Sequence, residues 1–314
     1  SKELTPAKRY SFLVGVNEPN HTCRRQFLEL VMQEEINPSV DEIESAFSID
    51  NVTKEFFNEY KELFLELEEC LQKVLARDKH VKEEFESKGI STVDFAKKLL
   101  GQIVFIYFLQ KKGWLGVKKG ESWGDGPKDF MRCLLGGGPK NYKPLVPYKN
   151  FFNEILEPLF YEALANDRSA DDHFYRLFNC KIPFLNGGLF EPINEYKWAE
   201  TDIVIDNAIF DRILTTFDRF NFTVKEDEPL EKEVAVDPEM LGKVFENLLE
   251  VKDRKSKGAF YTPREIVHYM CQQSLVNYLE TNTAINRKDI EKFIQLGDLT
   301  LASSIRVLQE VDKK

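Results

Sequence analysis

The sequence predicts a mainly α protein with a small β element near its N-terminus. From Val52 to Val311 apolar residues recur at spacings of three and four, while runs that alternate apolar and polar residues are scarce. One stretch, Leu99–Leu109, is apolar on all sides, as expected of a helix buried at the centre of a helical domain.

The elements follow in order. Residues 8–16, KRYSFLVGV, alternate loosely and carry β-formers, so they read as one strand, although no convincing pairing partner lies nearby. Cys23 to Gln33 turns helical, with Phe27, Leu30 and Val31 on one side. From Val52 to Glu86 the residues Phe56, Phe57, Tyr60, Phe64, Leu67, Leu71 and Leu75 form one stripe and charged residues fill the other face. After Gly89, Ser91-Thr92-Val93-Asp94 caps the apolar helix, which ends at Lys111-Lys112-Gly113. Residues 113–149 read as a glycine- and proline-rich loop punctuated by lysines, Trp114, Trp123 and Tyr142. Helices are expected again at Phe151–Ala165 and Asp171–Phe178. Asn186-Gly187-Gly188 then makes a tight turn that Phe184 and Phe190 anchor. Residues 202–217 read as an extended start running into a helix. Asp237-Pro238-Glu239 opens another, with Leu241, Val244, Phe245, Leu248 and Leu249 as its stripe. Helical segments at Arg287–Phe293 and Ser303–Val311 complete the chain.

A chain of 314 residues is a soft prior for about two domains. With 42% hydrophobic and 31% charged residues the composition is that of a soluble globular protein, and its longest apolar run is too short to span a bilayer. No signal peptide opens the sequence. Together with five unclustered cysteines this fits a reduced, cytoplasmic location and argues against a disulfide framework or a zinc site. The formal net charge of −10 excludes a surface that is basic all over, so any nucleic-acid contact must use a local patch. The glycines and lysines of residues 111–149 fit a solvated surface loop and are also the candidate patch: glycine lets backbone approach a phosphate and lysine supplies charge. No GxxxxGK[ST] or GxGxxG occurs there, which argues against a nucleotide-binding loop. The four histidines are scattered, and no metal-ligand or nuclease constellation is evident.

The stretch with the most specific chemistry is Arg254–Val267, RKSKGAFYTPREIV. Thr262 suits an N-cap, Pro263 the first helical turn, and Glu265 completes a capping box. Ile266, Val267, Met270, Cys271, Leu275 and Tyr278 then recur at helical spacing. A glycine-led loop therefore delivers Phe260-Tyr261-Thr262 to the positive end of a helix, where unpaired N–H groups favour a carboxylate. Taken alone, these residues also fit an ordinary capped helix.

GAFYTPREIV, preceded by LGKVFENLLE, resembles the motif named X of adenine-specific DNA methyltransferases, above all that of single-chain Type IIG restriction–modification enzymes. IPFLNGGLFE (182–191), TTFDRFNFTV (215–224) and SIDNVTKEFFNEY (48–60) resemble the same family, so the likeness covers most of the chain. It implies S-adenosylmethionine as cofactor, double-stranded DNA as partner, for which the Lys-rich residues 111–149 are the candidate contact, and methyl transfer to the exocyclic amine of adenine. It also implies that Phe260, Tyr261, Thr262 and Pro263 form one wall of the cofactor site.

The family's Asp-Pro-Ala-Cys-Gly-Ser-Gly and Asn-Pro-Pro-Tyr strings are absent, so no catalytic residue is assigned. The sequence starts Ser1-Lys2 without an initiator Met, and the expectation is a fragment upstream of the catalytic core that binds cofactor weakly or not at all. The implied organisation is a junction with an upstream nuclease or linker region over 1–45 and a helical connector over 46–225. The motif X region that starts the methyltransferase domain covers 226–280, and a helical segment covers 281–314. A connector or DNA-binding module without chemistry, a phage-defence methyltransferase without nuclease, and a helical scaffold with an accidental Tyr-Thr-Pro turn remain as alternatives.

Overall fold

The computed structural model describes residues 9–15, 18–32, 37–185, 187–223, 231–236 and 264–296, which fall into two compact units. As expected, the fold is mainly helical. In the larger unit, β1 (Arg9–Ser11) precedes α1 (His21–Met32) and α2 (Val40–Ala46), the latter started by a capping box in which Ser39 and Glu42 satisfy each other's backbone. Then come α3 (Ile49–Arg77), α4 (Lys79–Lys88) and α5 (Thr92–Lys111). Asp78 makes the break between α3 and α4. Its N–H still closes α3 on Val74, while its carboxylate accepts from the N–H groups of His80 and Val81 at 3.0 and 3.1 Å. Ser91 caps α5 as anticipated, accepting from Asp94 N–H at 3.0 Å.

The core is aromatic. Phe56 and Tyr60 of α3, Tyr107 of α5 and Phe217 of α7 (Asn207–Phe217) pack with Phe220 and Phe222 at ring-centroid distances of 5.1–6.3 Å. Such rings gain about 0.5–1.5 kcal/mol per pair beyond the area they bury. Over Leu99–Leu109 α5 is buried on nearly every side, with Phe105 the exposed exception there, so the reading of a central helix holds. Asp206 starts α7 by accepting from Ala208 N–H at 3.0 Å, after the extended Thr201–Ile205 approach.

Four expectations are corrected or sharpened. The strand near the N-terminus is paired after all: β1 lies parallel to β4 (Glu231–Glu233), Arg9 opposite Glu231. A partner so distant in sequence leaves no local signature. The 113–149 segment contains a helix, α6 (Phe130–Leu135), whose Phe130, Met131 and Leu134 are buried. Its six residues are too few for a periodic pattern to emerge.

Asp171–Phe178 is not a helix. A 3-10 turn at Ser169–Asp171 is followed by Asp172 and His173 in left-handed conformation and by the hairpin of β2 (Phe174–Tyr175) and β3 (Cys180–Lys181). Two successive positive-φ residues cannot continue a right-handed helix. The helix expected over Phe151–Ala165 is present but wound as π-helix at Phe152–Leu156 and Pro158–Leu164. Glu157 N–H reaches back to Phe152, and Pro158 has no N–H to give.

The smaller unit contributes α8 (Arg264–Asn282) and α9 (Arg287–Leu296). Arg287 ties them, reaching Glu280 and Glu291 at 2.9 Å and Gln273 at 3.1 Å, and Val276 and Ile290 are buried. Ile266, Val267, Met270, Leu275 and Tyr278, read as an apolar stripe, are exposed. The helices expected at Asp237–Glu239 and Ser303–Val311 lie outside the described residues.

Candidate nucleic-acid interface

Phe260, Tyr261, Thr262 and Pro263 lie outside the described residues. The helix they were expected to open is present from Arg264 onward.

The other candidate region is described throughout. Residues 111–149 carry nine Lys or Arg against three Asp or Glu, a basic island in a chain of net charge −10. Lys112, Lys118, Lys119, Lys128, Lys140, Lys143 and Lys149 are exposed, whereas Arg132 is buried. The glycines serve the segment's own packing. Gly113 carbonyl accepts from the N–H groups of Gly124 and Gly126, both at 3.0 Å. A Cβ on Gly126 would sit 2.2 Å from the Leu115 carbonyl oxygen, and one on Gly116 would sit 2.6 Å from the Phe130 ring. The space a phosphate would need at these positions is filled by protein.

Between α5, α6 and the end of α7 opens a cleft of about 560 Å³. Arg132 crosses beneath it, donating from Nε to Asp218 at 2.5 Å, from Nη1 to Asp211 at 2.7 Å and from Nη2 to Thr215 at 2.8 Å. Tyr107 donates to the other Asp218 oxygen at 2.7 Å. Burial pushes the Asp218 carboxyl above its ordinary range, against the opposing pull of Arg132 and Tyr107. Burial also works against the Arg132 charge, but its hydrogen bonds to Asp218 and Asp211 outweigh that and hold it above its ordinary value. With three carboxylate and hydroxyl partners converging on one guanidinium, the pair is ionised. Lys111 is likewise engaged, 2.5 Å from Glu18 and 3.1 Å from Asn221. The cleft interior therefore has its charges paired, and cations able to meet a phosphate stand on its rim and on the surrounding loop.

Sequence reasoning singled out TTFDRFNFTV without a role for it. The structure gives it one: Asp218, Phe220, Asn221 and Phe222 from this stretch line the cleft, and Thr215 helps hold Arg132 beneath it. An aspartate set among apolar residues, with an arginine in the segment opposite, was the available signal.

The IPFLNGGLFE turn is packed, as one reading had it. Lys98 and Gln102 of α5 donate to the carbonyls of Gly188 and Leu189 at 2.9 and 2.8 Å, Phe190 is buried, and Phe184 is half-buried. Among the described residues no His, Cys, Asp and Glu side chains cluster as a metal site would require. No helix among them is long and apolar enough to cross a membrane.

No protein-family model matches the chain. No solved structure matches it. A protein of Methanocaldococcus jannaschii, described as a "putative type II restriction enzyme and methyltransferase", is 29% identical over 286 residues, 84% of this chain. The alignment takes in 22% of that protein, so the chain spans about a fifth of the length of the curated relative it matches. This similarity agrees with the resemblance that the four motif stretches carry.

Proposed function

We propose that this chain is part of a restriction–modification DNA methyltransferase that moves a methyl group from S-adenosylmethionine to the exocyclic amine of adenine in DNA. The observation that carries the reading is the similarity over 84% of the chain to a relative named as restriction enzyme and methyltransferase, joined to the GAFYTPREIV stretch. Phe260, Tyr261, Thr262 and Pro263 would hold one wall of the cofactor site. The cofactor supplies an electrophilic methyl group; the chain's part is to seat it at a helix start whose free N–H groups favour its carboxylate. DNA would be met by the exposed lysines of residues 111–149, in the cytoplasm. One wall does not enclose a ligand, so the 314 residues alone bind cofactor weakly or not at all and transfer no methyl group.

The test is methyl transfer by the full-length protein from labelled S-adenosylmethionine to duplexes that differ in their adenines. Label on the adenine amine supports the reading. Label on cytosine would remove the adenine assignment, and no transfer to any duplex would favour a connector module without chemistry.

A further inference from the structure

Trp123 is held in a manner that no packing role requires. Its loop is docked on the β2–β3 hairpin, where Lys181 N–H donates to the Val117 carbonyl at 2.7 Å. The Lys181 ammonium lies 4.8 Å from the centre of the indole, fixed by Asp172 at 3.0 Å and by the Glu121 carbonyl at 3.2 Å. That lysine side chain is only 6% exposed, so it covers the inner face of the ring. His173 stands edge-on to the indole at 5.7 Å. It is brought there by the consecutive left-handed residues Asp172 and His173, a conformation that costs free energy in residues other than glycine.

With Lys181 over one face of the ring and His173 against it edge-on, Trp123 is still 40% exposed. Lys118 and Lys119 are exposed in the same loop, and the Lys119 ammonium lies 5.3 Å from the Phe174 ring. An aromatic ring held from one face yet still exposed, in a loop that carries two exposed lysines, has the parts that bind unpaired bases: the ring stacks, and Lys119 together with Lys118, which stands 3.6 Å from Glu121, can turn to the adjoining phosphates.

We infer that Trp123 is a stacking platform for an unpaired nucleobase of a DNA strand, with Lys118 and Lys119 serving the phosphates beside it. This rests on the reading of residues 111–149 as a DNA surface and names what part of DNA that surface takes. An acidic peptide would satisfy the lysines but leave the indole face unused.

The chain has three tryptophans, so a W114F/W198F variant leaves Trp123 as sole reporter without altering the site. It is titrated with a thymidine homopolymer, with an abasic strand of equal length, and with a glutamate homopolymer, reading indole fluorescence and, in parallel, anisotropy of the labelled strand. The expected result is quenching by the thymidine strand alone, with the abasic strand bound more weakly. W123A should weaken thymidine binding about tenfold, and W123F should recover most of it. Equal affinity for thymidine and abasic strands, or binding without quenching, overturns the platform while leaving a phosphate-binding DNA surface intact. Quenching by the glutamate homopolymer overturns the choice of nucleic acid. Failure of every strand, including intact duplex, to bind would remove the DNA surface itself and the platform with it.

Discussion

Tyr196 donates its hydroxyl proton to Oε1 of Glu157 at 2.6 Å, with both residues all but excluded from solvent. Burial pushes the Glu157 carboxyl up to about 9, the neighbouring Asp202 charge adds to the rise, and the Tyr196 hydrogen bond only partly opposes it. The folded protein therefore keeps a proton on Glu157 at neutral pH that the unfolded chain has released. A carboxyl raised in this way favours the fold fully below about 4.5, and that contribution is lost progressively as pH climbs to about 9. The loss is on the order of 3 kcal/mol by neutral pH. Glu157→Gln, which cannot ionise, should gain on the natural protein steadily across this window. Urea melts at matched pH values check it; a gap between the two proteins that stays constant with pH would show that Glu157 is charged in the fold.

Arg132 and Asp211 make the same ion pair from unequal positions, one side chain 3% exposed and the other 59%. Arg132→Ala should cost about 3–5 kcal/mol, because it strands Asp218 beneath the cleft without its guanidinium. Asp211→Ala should cost less than about 1 kcal/mol, since the arginine keeps Asp218 and Thr215. Denaturant unfolding of the two variants gives both numbers, and equal costs would show that the network does not centre on Asp218.

Gly126→Ala should destabilise by about 1–3 kcal/mol, because the added methyl meets the backbone carbonyls of Leu115 and Gly113 with no flexible side chain to yield. Gly15→Ala, with open space at its Cβ position, should be tolerated. If both variants melt alike, the close backbone packing of the basic segment is not what requires glycine.

Thr262→Ala tests the motif itself in the full-length protein. On the proposed reading, in which Thr262 caps the helix that follows, its loss should cost about 1 kcal/mol locally and lower cofactor affinity. Calorimetry with S-adenosylmethionine reads the second effect. Unchanged affinity beside lowered stability would make the turn structural only.

The long periodic elements were legible in the sequence because one side chain repeats the message of the next: Phe56, Tyr60, Phe64, Leu67 and Leu71 all vote for the same face of α3. Caps were legible where a single short side chain does the work, as at Ser91 and Asp94. What was hidden depends on distant residues. Asp171–Phe178 carries apolar residues at helical spacing, yet Lys181 and Val117 draw it into a hairpin. Arg132 looked like one more cation in a basic loop, and only the fold brings Asp211 and Asp218 to it.

The pairing of Arg9 with Glu231 sets an order on the molecule's birth. More than two hundred residues separate the two strands, so at ribosomal speeds β1 waits roughly 10–45 s for the strand that completes it. During that interval the helices from α1 to α7 have all been made, and β1 presents an unpaired edge to whatever is near. A nascent-chain arrest placed before residue 231 should hold the larger unit open at that edge, and release past residue 236 should close it.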